Sequence, residues 1–177
     1  HPRRGRALQH FSPGWRAAQW RERFGRGEAG GLLEAGTQVP PLPGRVNRRK
    51  ATREEAAAAL AAEGVRTEPT RHSPQGLIIQ DLTSASSLER LEAMKQGLIT
   101  VQDESSMLAA AVLNPQPGWM VIDVAAAPGG KATHLAELMD NRGRVIALDI
   151  HPHKVALIEE NAERLGTTLV EAVCLDA

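Results

Sequence analysis

Apolar and polar positions divide the chain into stretches with different periodicities. In the last stretch, apolar runs at residues 120–124, 145–149 and 169–175 predict three short buried strands. Helical spacing at residues 131–139 and 151–165 predicts the two helices that connect them. This βαβαβ series requires a parallel sheet with right-handed crossovers, which is half of a doubly wound α/β domain.

The middle stretch predicts a small α/β layer. Thr52 and Glu55 form a capping-box pattern, and an alanine-rich helix follows until Gly64. The candidate strands of this layer are the edge strand Arg45-Val46-Asn47 and residues 65–69 and 77–80. The β-α-β-β order could resemble an RNA-recognition fold, although it lacks the exposed aromatic residues that such folds use to stack bases.

The remaining segments set the expected domain organisation. An amphipathic helix at residues 15–24 should pack Trp20 and Phe24 inward. The other predicted elements are a short helix at 30–35, an extended connector at 39–43, a polar linker at 84–96, a strand at 98–101 and a helix at 107–113 that Ser105 caps. We expect an N-terminal helical and α/β domain at residues 1–96, and a second domain at 97–177.

Composition and charge restrict the class of protein. The sequence has no apolar run of bilayer-spanning length, no secretory signal and one cysteine, so we expect a monomeric cytoplasmic protein without a cysteine-based metal site. Residues 1–53 hold twelve basic and three acidic side chains, a net charge of +9, and the remainder carries −9 because the whole chain is neutral. A basic arm of this kind predicts contact with a polyanion such as RNA, although an arginine-rich solvated surface is the alternative.

The candidate ligand site begins at the first predicted parallel strand, where Pro128-Gly129-Gly130 separates strand from helix. Free N–H groups at the start of that helix would face a ligand, and the glycines would let it approach closely. The sequence does not match the Walker phosphate loop, because Ala125 and Ala132 stand at two of its required positions, and it lacks the Gly-x-Gly-x-x-Gly fingerprint. A nucleoside without phosphates, such as S-adenosylmethionine, fits better than a nucleotide, and an ordinary tight turn is the alternative.

Three acidic residues follow or end the predicted strands. Asp123 adds an acceptor beside the turn, Asp149 is placed to accept hydrogen bonds from ribose hydroxyls, and Asp176 is placed to meet an adenine amino group. Each aspartate alone is explained as a turn or capping residue, but the glycine turn and the acids together favour a cofactor crevice.

The same residues carry a resemblance to a known family. The segment from Asp123 to His134 resembles the cofactor motif of the Sun/RsmB RNA cytosine-5 methyltransferases, and residues 97–106 are similar to the start of that family's catalytic domain. The resemblance implies a Rossmann-like fold, S-adenosyl-L-methionine as cofactor and methylation of a cytosine in 16S ribosomal RNA. The cofactor-binding residues that it implies are Ala125, Ala126, Ala127, Pro128, Gly129, Gly130, Lys131, Asp149 and Asp176.

The chain departs from the family pattern at Ala125, where many members have cysteine, and at Ser12, where a histidine usually stands. The family's nucleophilic cysteine, which attacks C6 of the base, belongs to motifs that follow later strands. We therefore expect a fragment that lacks turnover and is poorly stable alone. Cys174 is expected to be a buried, unreactive strand residue. His134 is predicted to pack rather than bind metal, and His151 and His153 to cap a helix or lie exposed.

Two other functions stay open on the sequence alone. One is a methyltransferase that acts on a small molecule or a protein, and the other is a non-catalytic RNA-binding module with the same fold. Affinity for S-adenosylmethionine separates the enzymes from the binding module.

Overall fold

The computed structural model describes residues 13–38, 40–80 and 88–176. The predictions that concern Ser12, Val39 and the arginines among the first twelve residues lie outside these ranges. The chain forms two compact units, His1–Pro40 and Pro41–Ala177, which are described separately.

The described part of the first unit is dominated by one long helix, α1, at Gly14–Ala35. Its backbone leaves helical geometry at Gly25, where φ is 77°, so the two helices predicted from the sequence lie on either side of this break. Ala17 and Leu33 are buried and Trp20 packs against them. Phe24 is 40% exposed. The prediction that Phe24 packs inward is wrong. The prediction assumed regular helical spacing around Phe24, and the helical geometry breaks at the next residue, Gly25.

The second unit begins with an antiparallel sheet. Its strands are β1 (Leu42–Val46), β2 (Arg66–Pro69), β3 (Gly76–Gln80) and β4 (Ile99–Val101), in the order β2-β3-β1-β4. Helix α2 (Arg53–Ala62) connects β1 to β2, and a 3₁₀ turn (Leu88–Arg90) and the short helix α3 (Glu92–Lys95) precede β4. This is the split β-α-β arrangement of ferredoxin-like folds.

The position of β1 corrects the predicted edge strand at residues 45–47. β1 lies between β3 and β4, with Gly44 opposite Val101 and Val46 opposite Ile99. Local alternation shows that a segment is extended but not which distant strand pairs with it. Two related predictions also change: the extended connector at 39–43 already contains the start of β1, and the polar linker at 84–96 contains α3.

The capping box at the start of α2 is confirmed. The backbone N–H of Glu55 donates to Thr52 Oγ1 at 3.2 Å, and the N–H of Thr52 donates to Glu55 Oε2 at 2.8 Å. The helix then buries Ala56 and Leu60 against the sheet. The sheet side of this core contains Val46, Leu77, Ile79 and Ile99.

A parallel sheet completes the second unit. Helix α4 (Glu104–Leu113) precedes β5 (Met120–Asp123), α5 (Gly130–Leu138), β6 (Arg144–Asp149), α6 (Pro152–Leu165) and β7 (Val170–Cys174). The strands run parallel in the order β5-β6-β7, which confirms the predicted βαβαβ fold. Helix α4 begins at Glu104 after the N-cap residue Asp103, so Ser105 lies inside the helix and the predicted cap at that residue is wrong.

Three strand residues are more exposed than predicted. Met120 and Ile122 of β5 are 64% and 53% exposed, because they point to the face of the sheet opposite Val121, which packs in the core with α5. Cys174 is also exposed, and its Sγ donates to the Ile150 carbonyl at 3.6 Å. The prediction of a buried cysteine is wrong because Cys174 is the last residue of β7 rather than a central one.

Side chains from the turn after β1 join the two sheets within this unit. Asn47 is fully buried, and its Nδ2 donates to the carbonyls of Leu165, at 2.8 Å, and Gly97, at 3.2 Å. Lys50 Nζ donates to the carbonyl of Arg164 at 2.8 Å, also at the end of α6. These bonds satisfy orphan carbonyls at the helix C-terminus. These hydrogen bonds cross the domain boundary that was predicted between residues 96 and 97. That boundary stays a prediction.

Candidate functional site

The glycine turn lies between β5 and α5 and is fixed by backbone hydrogen bonds. The N–H of Ala126 donates to the Leu148 carbonyl at 2.9 Å, and the N–H of Gly129 donates to the Ala126 carbonyl at 2.7 Å. Gly129 has a φ of 98°, which strongly favours glycine. Its α-carbon faces α6, where an added Cβ would meet Ile158 at 3.3 Å. The turn is therefore closely packed on the side of the helix.

The start of α5 presents unused backbone donors. The first helical bond is from the N–H of Thr133 to the Gly129 carbonyl, at 2.9 Å. The N–H groups of Gly130, Lys131 and Ala132 precede it, so they have no acceptor within the helix. Together with the helix dipole, they form a site suited to a carboxylate or another electron-rich group.

Asp149 and Asp176 lie at the carboxyl ends of the parallel strands, where the glycine turn also lies. Asp149 is the last residue of β6, and its Oδ1 accepts the N–H of His151 at 3.1 Å. The N–H of Leu175 donates to the Asp149 carbonyl at 3.2 Å, which places Asp176 immediately beyond that point. The structure thus brings the predicted cofactor residues, 125–131 with Asp149 and Asp176, to one end of the parallel sheet. Their role in binding stays a prediction.

Asp123 supplies a further acceptor beside the turn. Its Oδ1 lies 3.4 Å from the Ala125 nitrogen, and its Oδ2 is buried with no hydrogen-bond partner among the residues that the structure describes. Asp123 and Lys131 both line an open groove of about 220 Å³ between α4, β5 and α5. A buried carboxylate oxygen without a partner is costly, so Oδ2 of Asp123 is a candidate acceptor for a bound group.

Sequence reasoning missed the buried polar network beneath α5. The side chains of Arg45 and Glu137 are both 0% exposed, and Nη2 of Arg45 lies 2.8 Å from Oε1 of Glu137. Burial raises the pKa of Glu137 to about 7, against the opposing pull of Arg45, and burial lowers the pKa of Arg45. A signal existed: Thr133, His134 and Glu137 are polar residues spaced along one face of a helix whose core-facing stripe would normally be apolar.

The three histidines noted in the sequence, His134, His151 and His153, have different surroundings. His134 is 1% exposed, and its Nε2 lies 2.7 Å from Oε1 of Gln75. Burial, with Arg45 and Arg48 adding to it, lowers the pKa of His134 to about 3. His151 and His153 are exposed at the start of α6, with ring centroids 5.5 Å apart.

Residues 13–38, 40–80 and 88–176 contain no group of three or more His, Cys, Asp or Glu that could hold a metal ion. None of their helices is long and apolar enough to cross a membrane.

Comparisons with known proteins find two domains of one family. Residues 110–177 match the family described as 16S rRNA methyltransferase RsmB/F, and residues 12–86 match the RsmF/B-like, ferredoxin-like domain. The chain is 38% identical, over 99% of its length, to the probable ribosomal RNA small subunit methyltransferase B of Bacillus subtilis, and spans 38% of that protein.

Two further relatives extend the comparison. A tRNA (cytosine(72)-C(5))-methyltransferase of Pyrococcus horikoshii is 44% identical over 51% of this chain and 23% of its own length. The crystal structure of a methyltransferase homolog protein from Pyrococcus horikoshii superposes with a TM-score of 0.82 and 28% identity, over 98% of this chain and 56% of that one.

Proposed function

The chain belongs to the Sun/RsmB family of RNA methyltransferases, and we propose that the protein uses S-adenosylmethionine to methylate C5 of a cytosine in 16S ribosomal RNA. The observation that carries this proposal is the juxtaposition of the glycine turn, Asp149 and Asp176 at one edge of the parallel sheet. Ligands of doubly wound sheets bind at this edge, outside the carboxyl ends of the strands.

The donors and acceptors of the site match the parts of S-adenosylmethionine. The N–H groups at the start of α5 suit its carboxylate. Oδ2 of Asp123, which has no hydrogen-bond partner within the described part of the chain, suits its ammonium group. Asp149, which is partly exposed at the end of β6, would accept hydrogen bonds from the ribose hydroxyls, and Asp176 from the adenine amino group. When bound, this cofactor supplies an electrophilic methyl group.

The substrate proposal rests on the family and on charge. The Bacillus subtilis relative is named for small subunit ribosomal RNA, and the basic residues Arg48 and Arg49 are exposed in the turn after β1. Exposed arginines are suited to phosphate contacts. Transfer RNA is a second candidate substrate, because the Pyrococcus horikoshii tRNA enzyme is 44% identical over 91 residues. A cytoplasmic location and a monomeric state stay predictions.

Three measurements on the full-length protein test the proposal. Isothermal calorimetry should detect binding of S-adenosylmethionine, and methyl transfer from labelled cofactor should favour 16S ribosomal RNA over transfer RNA. Bisulfite sequencing should then locate the 5-methylcytosine as a cytosine that resists conversion to uracil. Absence of cofactor binding contradicts any methyltransferase function and leaves the RNA-binding module. Binding with transfer only to a small molecule or a protein contradicts an RNA substrate.

The nucleophile is not assigned to this chain. Its one cysteine, Cys174, ends β7 and is exposed, whereas the resemblance implies a catalytic cysteine that follows later strands. We therefore propose that residues 41–176 provide the cofactor crevice, and that turnover requires the motifs that the family places further along the sequence.

A further inference from the structure

Helix α5, which starts at the glycine turn, packs against the ferredoxin-like sheet through polar side chains. Gly130, Thr133, His134 and Glu137 share one face of α5, and the three side chains are at most 1% exposed. Helices ordinarily bury an apolar stripe at this spacing. Here the partners are Arg45 of β1 and Gln75 in the turn before β3, and Gln102 after β4 accepts a further bond from Arg45.

Arg45 is the centre of this contact. Its Nη1 donates to the Gly130 carbonyl and to Gln102 Oε1, both at 2.8 Å. Its Nη2 donates to Thr133 Oγ1 at 3.1 Å and to Glu137 Oε1 at 2.8 Å. The planar guanidinium therefore spans the first two turns of α5, and one of its bonds falls on a peptide group of the glycine turn itself.

A second side chain holds the other end of the turn. Asn161 of α6 donates from Nδ2 to the Pro128 carbonyl at 2.9 Å. Arg164 orients it by donating from Nη2 to Asn161 Oδ1 at 2.8 Å. The same guanidinium donates to Thr100 Oγ1 of β4 at 3.0 Å and to the Met94 carbonyl at 2.8 Å. Arg164 thus connects the turn to the ferredoxin-like sheet by a second route.

We propose that Arg45, and Arg164 acting through Asn161, are positioning residues through which the ferredoxin-like sheet sets the geometry of the cofactor turn. The inference rests on the proposed function of that turn. The carbonyls of Pro128 and Gly130 flank Gly129, which has a φ of 98° and no side chain to restrict it. The Pro128 carbonyl shares a peptide plane with the N–H of Gly129, and the Gly130 carbonyl shares one with the N–H of Lys131, so bonds to both carbonyls fix the directions of these two N–H groups.

Stability alone does not account for this network. Replacing a buried ion pair by well-packed apolar groups is often neutral or stabilising, so the stability of the fold does not by itself require an ion pair beneath α5. Arg45 instead donates from two nitrogens to one backbone carbonyl and three side chains. Because the guanidinium is planar, these bonds specify one position and one rotation of the helix. Preorganised donors of this kind are what a ligand site requires.

The test compares R45K and N161A in the full-length protein with the control L60A. Lysine keeps the positive charge but not the planar guanidinium. Alanine at position 161 removes the bond to Pro128 and the bond from Arg164, and so disconnects the turn from the second route. Leu60 is fully buried in the core of the same sheet and is not among the residues that bond to the turn, so L60A reports the effect of general destabilisation. Calorimetry should show that R45K weakens binding of S-adenosylmethionine by about ten- to hundredfold, and N161A by less. L60A should lower the melting temperature with little change in affinity.

A readout without cofactor separates this proposal from the proposed function. Hydrogen exchange of the Ala126 and Gly129 amides, which are hydrogen-bonded at the turn, should accelerate in R45K and N161A and stay unchanged in L60A. Failure of the wild type to bind S-adenosylmethionine refutes the proposed function, while the exchange result still decides the positioning role. Unchanged affinity and exchange in both variants overturn the positioning proposal, and so does an equal effect of L60A. If R45K does not fold, N161A, whose side chain is partly exposed, decides the question.

Discussion

The carboxylate of Asp149 is expected to contribute directly to cofactor affinity. It ends β6 at the edge where the glycine turn lies, and one of its oxygens is already held by the N–H of His151. D149A should weaken binding of S-adenosylmethionine by about 1–3 kcal/mol, because it removes hydrogen bonds to a charged acceptor. D140N is the matched control, since Asp140 lies just after α5, near the opposite end of the sheet. Unchanged affinity in D149A would remove this residue from the site.

His134 should make the free energy of unfolding sensitive to acid. Its pKa is about 3 in the folded protein, below the ordinary value of 6.5. The unfolded chain therefore binds more protons between these values, and stability that is complete above pH 6.5 is lost as the pH falls towards 3. The slope for one proton is about 1.4 kcal/mol per pH unit. H134Q, which keeps a hydrogen-bonding side chain, should lack this contribution.

Urea unfolding of the wild type and H134Q at several pH values checks this expectation. The pKa of Glu137 is raised to about 7, so between 4.5 and 7 its contribution has the opposite sign and grows as the pH falls. Both proteins contain Glu137, so the difference between their unfolding free energies reports His134. Parallel pH profiles would show that His134 is not held neutral by burial.

At the scale of elements, Gly97 allows the turn before β4 to meet the end of α6. Its φ is 68°, and a Cβ at this position would collide with the Arg164 carbonyl and approach Lys50 Nζ. G97A should lower the free energy of unfolding by about 1–3 kcal/mol in chemical denaturation. Gly64 is a matched control, because it has a similar φ of 80° and open space around it. If G64A and G97A cost the same, backbone strain alone explains the effect and the close approach does not.

Local patterns predicted the elements well because their causes are local. The capping box at Thr52, the glycine that ends α6 and the alternation of strands and helices all depend on residues within a few positions. The same reasoning failed for β1, whose place inside the sheet depends on pairing with β4 more than fifty residues later. It failed for Phe24 because one glycine interrupts α1.

In the candidate site, too, the sequence predicted the features with local causes and not those that depend on distant residues. The glycine turn and the acids at the strand ends were predicted, because the ends of parallel strands meet at one edge whatever the details of packing. Arg45 was not connected to the turn, although its strand was noted. The bonds from Arg45 to Gly130 and Glu137 join residues 85 and 92 positions apart. No local pattern specifies such partners. The buried polar residues of α5 indicated only that this face of the helix needs polar partners.

At the scale of the whole molecule, the outer edge of β5 is the feature with the clearest consequence. Trp119, Met120, Ile122 and Val124 are between 48% and 64% exposed, and the described residues pair β5 with β6 alone. An exposed apolar strand edge pairs readily with another chain. The 177-residue chain should therefore self-associate as its concentration rises, and I122K should shift it towards monomer because a charged side chain at the edge opposes pairing.

Sedimentation equilibrium of the chain, I122K and L157K measures this effect. Leu157 is 42% exposed on α6, so L157K adds the same charge away from the β5 edge. Association that persists in L157K and is reduced in I122K locates the contact at β5. Equal effects of the two substitutions would attribute it to net charge, and a monomeric wild type at high concentration would contradict an adhesive edge. The relatives are longer than this chain, and a full-length protein whose additional residues cover β5 is expected to be monomeric, because the same strand edge would then be paired within one molecule.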